Sequence, residues 1–263
     1  MRPTFLFIST ILVAMLAPTV VLAKGDLAPE EFRSILQVGF AMQRTAQYDD
    51  INGGPDRFVA FGDRSGRLSV YGFRSSSNRG RLWSSHSLDG NVEEVLVADL
   101  DNDGVVDHLV CRTPRRVYAF DIRDEFRNTY ESLPNHFRSI SAFTVANVDR
   151  DHQQEIVVAA DDQIHYVDGS SFLREWTSMD RYQVIQIRAG DVDGDRSVEL
   201  VLDTGQVLDA SSGREEWAAS DPFGTRLELL DLTGDGFPEI VGESPGLPLR
   251  IWEGSSQREL RVH

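Results

Sequence analysis

Apolar and polar positions alternate along most of this chain in short runs, each broken by a turn before a helical period could be established. The runs VEEVLVADL (92–100), SAFTVANV (141–148), VIQIRAGDV (184–192) and RLELLDL (226–232) have period two and end at an acidic loop, as expected of strands with one buried face. Each is followed by a shorter, nearly continuous apolar run, HLVCR (108–112), EIVVAA (155–160), ELVLD (199–203) or EIVGE (239–243), which predicts a strand buried on both faces. Third strands are predicted in RLSVYGF (67–73), RRVYAFD (115–121), QIHYVD (163–168), GQVLD (205–209) and LRIWEG (249–254). Ser/Gly turns then lead to fourth strands around Trp83 and up to Trp176 and Trp217. Only PEEFRSIL, residues 29–36, reads as a short helix.

These runs fall into a repeat. DLDNDGVVDHLV starts at Asp99, NVDRDHQQEIVV at Asn147, DVDGDRSVELVL at Asp191 and DLTGDGFPEIVG at Asp231, at spacings of 48, 44 and 40 residues. A decayed copy, DINGGPDRFVAF, starts at Asp50, 49 residues before Asp99. Periods in this range mark arrays and propellers, and four short strands per unit make one propeller blade. The expected fold is therefore all-β, a β-propeller of about five four-stranded blades over residues 41–263, as a closed or partial ring.

The acidic stretches carry chemistry of their own. Three or four carboxylates at alternating positions repel one another unless a cation joins them, and calcium takes six to eight oxygens at about 2.3–2.6 Å. The expected ligands in the second unit are Asp99, Asp101, Asp103 and Asp107 with the carbonyl of Val105. In the third they are Asn147, Asp149, Asp151 and Glu155; in the fourth, Asp191, Asp193, Asp195 and Glu199 with the carbonyl of Ser197. The fifth offers Asp231, Thr233, Asp235 and Glu239. Charge count and loop glycines rank these sites second, fourth, fifth, third, giving three to four calcium ions. The first unit, with Asp50, Asn52 and Asp56 around two glycines, is expected to hold none. An EF-hand would need a bidentate Glu at position 12 and flanking helices, whereas Val110, Val158, Leu202 and Gly242 stand there. The plainer reading, acidic polar turns without an ion, also fits any one copy.

The N-terminus changes the picture of where such a protein works. Arg2, the uncharged run that follows it and VLA before Lys24 read as a signal peptide over residues 1–23, followed by a lead-in segment over 24–40. Export to a secreted or periplasmic location is expected, with no membrane insertion after cleavage; a retained anchor is the alternative. Cys111 is the single cysteine, so no intramolecular disulfide can form, and calcium would supply the stapling that disulfides give other exported chains. The formal charge is −16, or −17 once Arg2 is removed, which disfavours nucleic acid and anionic membranes as partners.

The acidic loops with their EIVV-type strands resemble the FG-GAP/VCBS repeats of integrin-type β-propellers, over about residues 40–263. The resemblance implies a calcium-binding propeller and a role in adhesion, carbohydrate chemistry or another exported function. The DASSGREEW turn around Asp209 and Trp217 also resembles the tryptophan-docking turns of quinoprotein propellers. No HExxH, P-loop or GxGxxG sequence occurs, and the six histidines share no zinc spacing. Trp83, Trp176, Trp217 and Trp252 are expected in the core. The expectation is a binding module for a protein or glycan and not an enzyme. The alternatives are a carbohydrate-active enzyme, which needs two uncommitted carboxylates across a groove, and a scaffold subunit that completes an open ring by oligomerising.

Overall fold

The computed structural model describes residues 44–51, 57–73, 79–149 and 151–260. The signal and lead-in segments, the short helix expected at 29–36, and Asn52 and Asp56 of the first loop lie outside the described residues. No helix among the described residues is long and apolar enough to cross a membrane.

The architecture is a β-propeller of five antiparallel four-stranded blades. The first blade comprises β1 (Thr45–Asp49), β2 (Arg57–Gly62), β3 (Leu68–Phe73) and β4 (Arg79–Ser84). The second comprises β5 (Glu94–Ala98), β6 (His108–Arg112), β7 (Val117–Asp121) and β8 (Arg127–Glu131). The third follows with β9 (Ile140–Ala146), β10 (Glu155–Ala160), β11 (Gln163–Asp168) and β12 (Arg174–Thr177). The fourth has β13 (Ile187–Gly190), β14 (Glu199–Leu202), β15 (Gln206–Asp209) and β16 (Arg214–Ala218), and the fifth β17 (Arg226–Leu230), β18 (Glu239–Glu243), β19 (Arg250–Glu253) and β20 (Arg258–Leu260). Within each blade sequential strands pair in order, so every connection is a local hairpin. The innermost strands β1, β5, β9, β13 and β17 follow one another side by side.

The period-two pattern explains the packing. In β10, Ile156 and Val158 join a cluster with Val110, Ala119 and Phe143 on the side of the second blade, while Val157 joins one with Leu200 and Leu208 on the side of the fourth. Equivalent clusters fill the seams between the first and second and between the fourth and fifth blades. Ile156, Val157 and Val158 are completely buried, and each such side chain contributes about 1.5–3 kcal/mol.

The fourth strands close the outer part of each seam. In the first four blades the pairing of third and fourth strands slips by one residue, placing Leu82, Thr129, Glu175 and Glu216 in bulges. The aromatic residue after each bulge packs inward. Trp83 stacks on Phe126 of the second blade, ring centroids 4.9 Å apart, and Tyr130 stacks on Phe172 of the third at 4.7 Å. Trp176 stacks on Tyr166 at 4.5 Å and covers Gly213, where a Cβ would meet its ring at 2.4 Å. Phe126, Phe172 and Gly213 occupy one recurring left-handed position in the turn between third and fourth strands. Trp217 and Trp252 both set their edges against Phe223. Trp217 and Trp252 are buried core residues, and Trp83 and Trp176 are partly buried against the core.

Blades are also joined by charge. The Arg112 guanidinium donates to Glu94 at 3.0 Å, to Glu93 at 2.6 Å and to the carbonyls of Ile140 and Ser141 in the third blade. Arg188 of the fourth blade lies 3.7 Å from Glu94 and 3.1 Å from Glu228 of the fifth. Burial pushes the Glu94 carboxyl up, and the two arginines oppose that push.

Candidate metal centres

Each acidic loop joins the first and second strands of a blade, and its backbone is built by its own carboxylates. The first-position aspartate caps the turn twice. Asp99 accepts the N–H groups of Asp103 and Gly104, at 3.0 and 2.8 Å, and Asp191 accepts those of Gly194 and Arg196, at 2.7 and 3.0 Å. Asp231 accepts those of Gly234 and Gly236 at 2.6 and 3.1 Å. Positions four and six are left-handed in all three loops: Asn102 and Gly104, Gly194 and Arg196, Gly234 and Gly236. Arg196 therefore adopts a conformation that glycine would adopt without strain. Fifth-position aspartates each hold the N–H two residues on: Asp103 that of Val105, Asp151 that of Gln153, Asp195 that of Ser197 and Asp235 that of Phe237. These local bonds fix the turn of each loop, and they leave Asp101, Asp103, Asp149, Asp151, Asp195, Asp231 and Asp235 exposed.

The ninth position distinguishes the loops. Glu155 and Glu199 are completely buried. One oxygen of each accepts a second-position N–H, Val148 at 2.7 Å and Val192 at 2.8 Å. The other oxygen, Oε1 in both, is buried and has no hydrogen-bond partner among the described residues. A buried carboxylate oxygen left so costs several kilocalories per mole of desolvation without return. Burial, with Asp149 and Asp151 adding repulsion, pushes the Glu155 carboxyl up to about 7. Burial and the charges of Asp193, Glu216 and Asp195 push Glu199 up to about 8.

In the fifth loop Glu239 receives Leu232 N–H at 2.7 Å on Oε2 and the Thr233 hydroxyl at 3.1 Å on Oε1. The neutral residue at position three thus occupies the oxygen left open in the fourth loop. In the second loop Asp107 is turned to neighbours outside the loop. Its Oδ1 lies 2.6 Å from His108 Nδ1 and its Oδ2 2.9 Å from Arg123 Nε, while Arg123 also donates to Asp103 at 2.9 Å. The Arg123 hydrogen bond holds the Asp103 carboxyl below the usual range.

Among the described residues, carboxylate oxygens converge within 4.8 Å at Asp99, Asp101 and Asp103, and at Asp191, Asp193 and Glu199. They converge also at Asp149, Glu155 and Glu175, and at Asp151, Glu155 and Asp168. Asp107, Asp195, Asp231, Asp235 and Glu239 belong to no such group. Three contributors were not read from the sequence: Arg123, Asp168 and Glu175. Their signals are weak but visible, an arginine two residues after the third strand, an aspartate ending it, and a glutamate directly before the fourth-strand tryptophan.

Comparison with known proteins agrees on fold. No family model matches the chain, and no curated protein sequence matches it. The crystal structure of BBS1N in complex with ARL6DN, soaked with lead, is similar at a TM-score of 0.57 and 10% identity over 84% of this chain. The Neurospora crassa Pan2 WD40 domain is similar at 0.52 and 13% identity, and the WD40 beta propeller domain of Doa1 at 0.51 and 16%, each over 78% of this chain. This chain spans 67, 61 and 65% of the length of those three structures. The latter two are WD40 domains, the β-propeller architecture, and at these identities the likeness is one of fold.

Proposed function

We propose that this chain is an exported, calcium-stabilised β-propeller that serves as a binding module for a protein or glycan. One observation carries the calcium reading: Glu155 and Glu199 are fully buried beside further carboxylates, each with one oxygen that has no hydrogen-bond partner among the described residues. Two like charges at this range repel strongly away from bulk water, and a hard cation with oxygen ligands both satisfies the open oxygen and cancels the repulsion. Lone Cys111 is completely buried, so loop ions take the stapling role. The order of affinity supported by the geometry is fourth and third loops, then the second, whose Asp103 and Asp107 are engaged by Arg123, and last the fifth.

The binding-module reading is supported by the propeller neighbours, among them BBS1N in a complex with ARL6DN, and by the use of all four tryptophans in packing. Export follows from the leader pattern of residues 1–23. The FG-GAP/VCBS resemblance is consistent with the loop geometry. The test is thermal unfolding with calcium and with excess chelator: a ligand bound only to the native state adds about 2.7 kcal/mol at 100 times its Kd. A clear rise of the midpoint in calcium supports the reading, and coincident curves refute it.

A further inference from the structure

The third loop is built differently from the other three, and the difference opens it toward the outer half of its blade. Asn147 stands where they have aspartate, and its Nδ2 donates to the Asp151 carbonyl at 2.8 Å. His152 does not take the left-handed conformation of Gly104, Arg196 and Gly236. In this loop Asp149 groups with Glu175, the bulge residue of β12, and Asp151 with Asp168, the cross-strand partner of Glu155. Close approach of the turn after β11 makes this possible, since a Cβ on Gly169 would lie 2.2 Å from the Gln154 carbonyl oxygen.

The two triads, Asp149–Glu155–Glu175 and Asp151–Glu155–Asp168, share Glu155. Its Oε1 is the buried oxygen without a hydrogen-bond partner among the described residues. Like charges directly opposite in a sheet, as in the Glu155 and Asp168 pair, destabilise it, and a third acidic group on the bulge adds to the strain. Glu175 is pushed up first by burial and then by Asp168, Asp149 and Asp151, and it shares a hydrogen bond with Asp149. In the fourth blade Asp209 is likewise the cross-strand partner of Glu199, yet it joins no cluster with it among the described residues.

We propose that the third blade holds two divalent, oxygen-preferring cations, with calcium the natural choice, one in each triad and with Glu155 common to both. The proposal rests on the reading of these loops as calcium sites and extends it to residues of β11 and β12. Charge argues for two. Five carboxylates stand around the site, so one divalent ion leaves three negative charges crowded together and two leave one. The ions would tie the loop between the first and second strands to the outer hairpin, a cross-link across the whole width of the blade.

Native mass spectrometry of the purified protein in calcium-containing buffer counts the ions. Glu155→Gln is expected to lose two ions relative to the parent, and Glu175→Gln and Asp168→Asn one each. If Glu155→Gln does not fold, the double variant Glu175→Gln/Asp168→Asn carries the same expectation of two. A loss of one ion in Glu155→Gln or in the double variant overturns the two-ion site while leaving calcium binding in place. So do unchanged counts in Glu175→Gln and Asp168→Asn. A parent protein that binds no calcium overturns both. Thermal unfolding gives an independent readout: Glu175→Gln and Asp168→Asn should raise the midpoint in chelator, by relieving repulsion, and lower it in calcium. A midpoint lowered equally in both conditions would mark a purely structural role and contradict the proposal.

Discussion

The acidic loops of the fourth and fifth blades have the same backbone and different chemistry. Both are capped twice by a first-position aspartate, both are left-handed at positions four and six, and both end in a buried glutamate that accepts the second-position N–H. Yet Asp193 at position three leaves Glu199 with an open oxygen, whereas the Thr233 hydroxyl fills the same oxygen of Glu239. One side-chain change separates a loop that lacks a partner from one that has supplied its own. The shape of the turn is thus independent of its appetite for a cation, and an acidic pattern alone does not measure the latter.

The comparison can be broken most sharply at the ninth position. Glu199→Gln should abolish the fourth loop's share of calcium stabilisation, about 2.7 kcal/mol at 100 times Kd, without loss of stability in chelator. Glu239→Gln should leave the calcium increment unchanged. Paired unfolding curves in calcium and chelator check both variants, and equal increments lost in both would erase the distinction.

A second expectation concerns pH. In the fold Glu155 and Glu199 titrate near 7 and 8 instead of 4.5, so the folded state binds their protons more tightly than the unfolded state does. Their contribution to stability is fully present below about 4.5 and is lost as pH rises through 7 to 8. The chelated protein should therefore unfold more readily at pH 8.5 than at pH 5.5, and calcium should flatten that dependence. Denaturant titrations across this range, with and without calcium, measure it.

Smaller effects sharpen the remaining contrasts. Thr233→Ala removes the hydroxyl that occupies Glu239 and leaves a buried oxygen open, for a loss of about 1–3 kcal/mol in chelator. Thr233→Asp should instead convert the fifth loop toward the fourth, with a new calcium increment in its melting curve. Arg123→Ala, which frees Asp103 and Asp107, should tighten calcium binding by the second loop by up to about fivefold, the scale of an exposed ion pair. Calorimetric titration resolves that change, and weaker binding would show that Arg123 supports the site.

The blades were legible in the sequence because period two along a strand and period forty-odd along the chain are both local counts. Val157 and Val158 alternate between seams as their positions require, and the runs ending at Asp99, Asn147, Asp191 and Asp231 all became first strands with the loop directly after them. The placement of the first, third and fifth carboxylates in the second and fourth loops was legible for the same reason, since each is held by bonds to the next few residues. What was hidden depends on groups that meet only after folding. Arg123 reaches back twenty residues to Asp103, and Glu175 reaches its loop through a bulge that no alternation pattern announces. Asp168 is Glu155's cross-strand neighbour through the register of β10 and β11. Counting carboxylates ranked the second loop first; its ninth-position aspartate is instead paired with an arginine from the next hairpin.

A crystal structure of the protein grown in calcium, with anomalous data to identify the ion, examines the open oxygens themselves. The account predicts calcium within about 2.3–2.6 Å of Glu199 Oε1 and the carboxylates of Asp191 and Asp193, and likewise at Glu155 Oε1. Well-ordered loops in which those two oxygens face no ion at saturating calcium would contradict it.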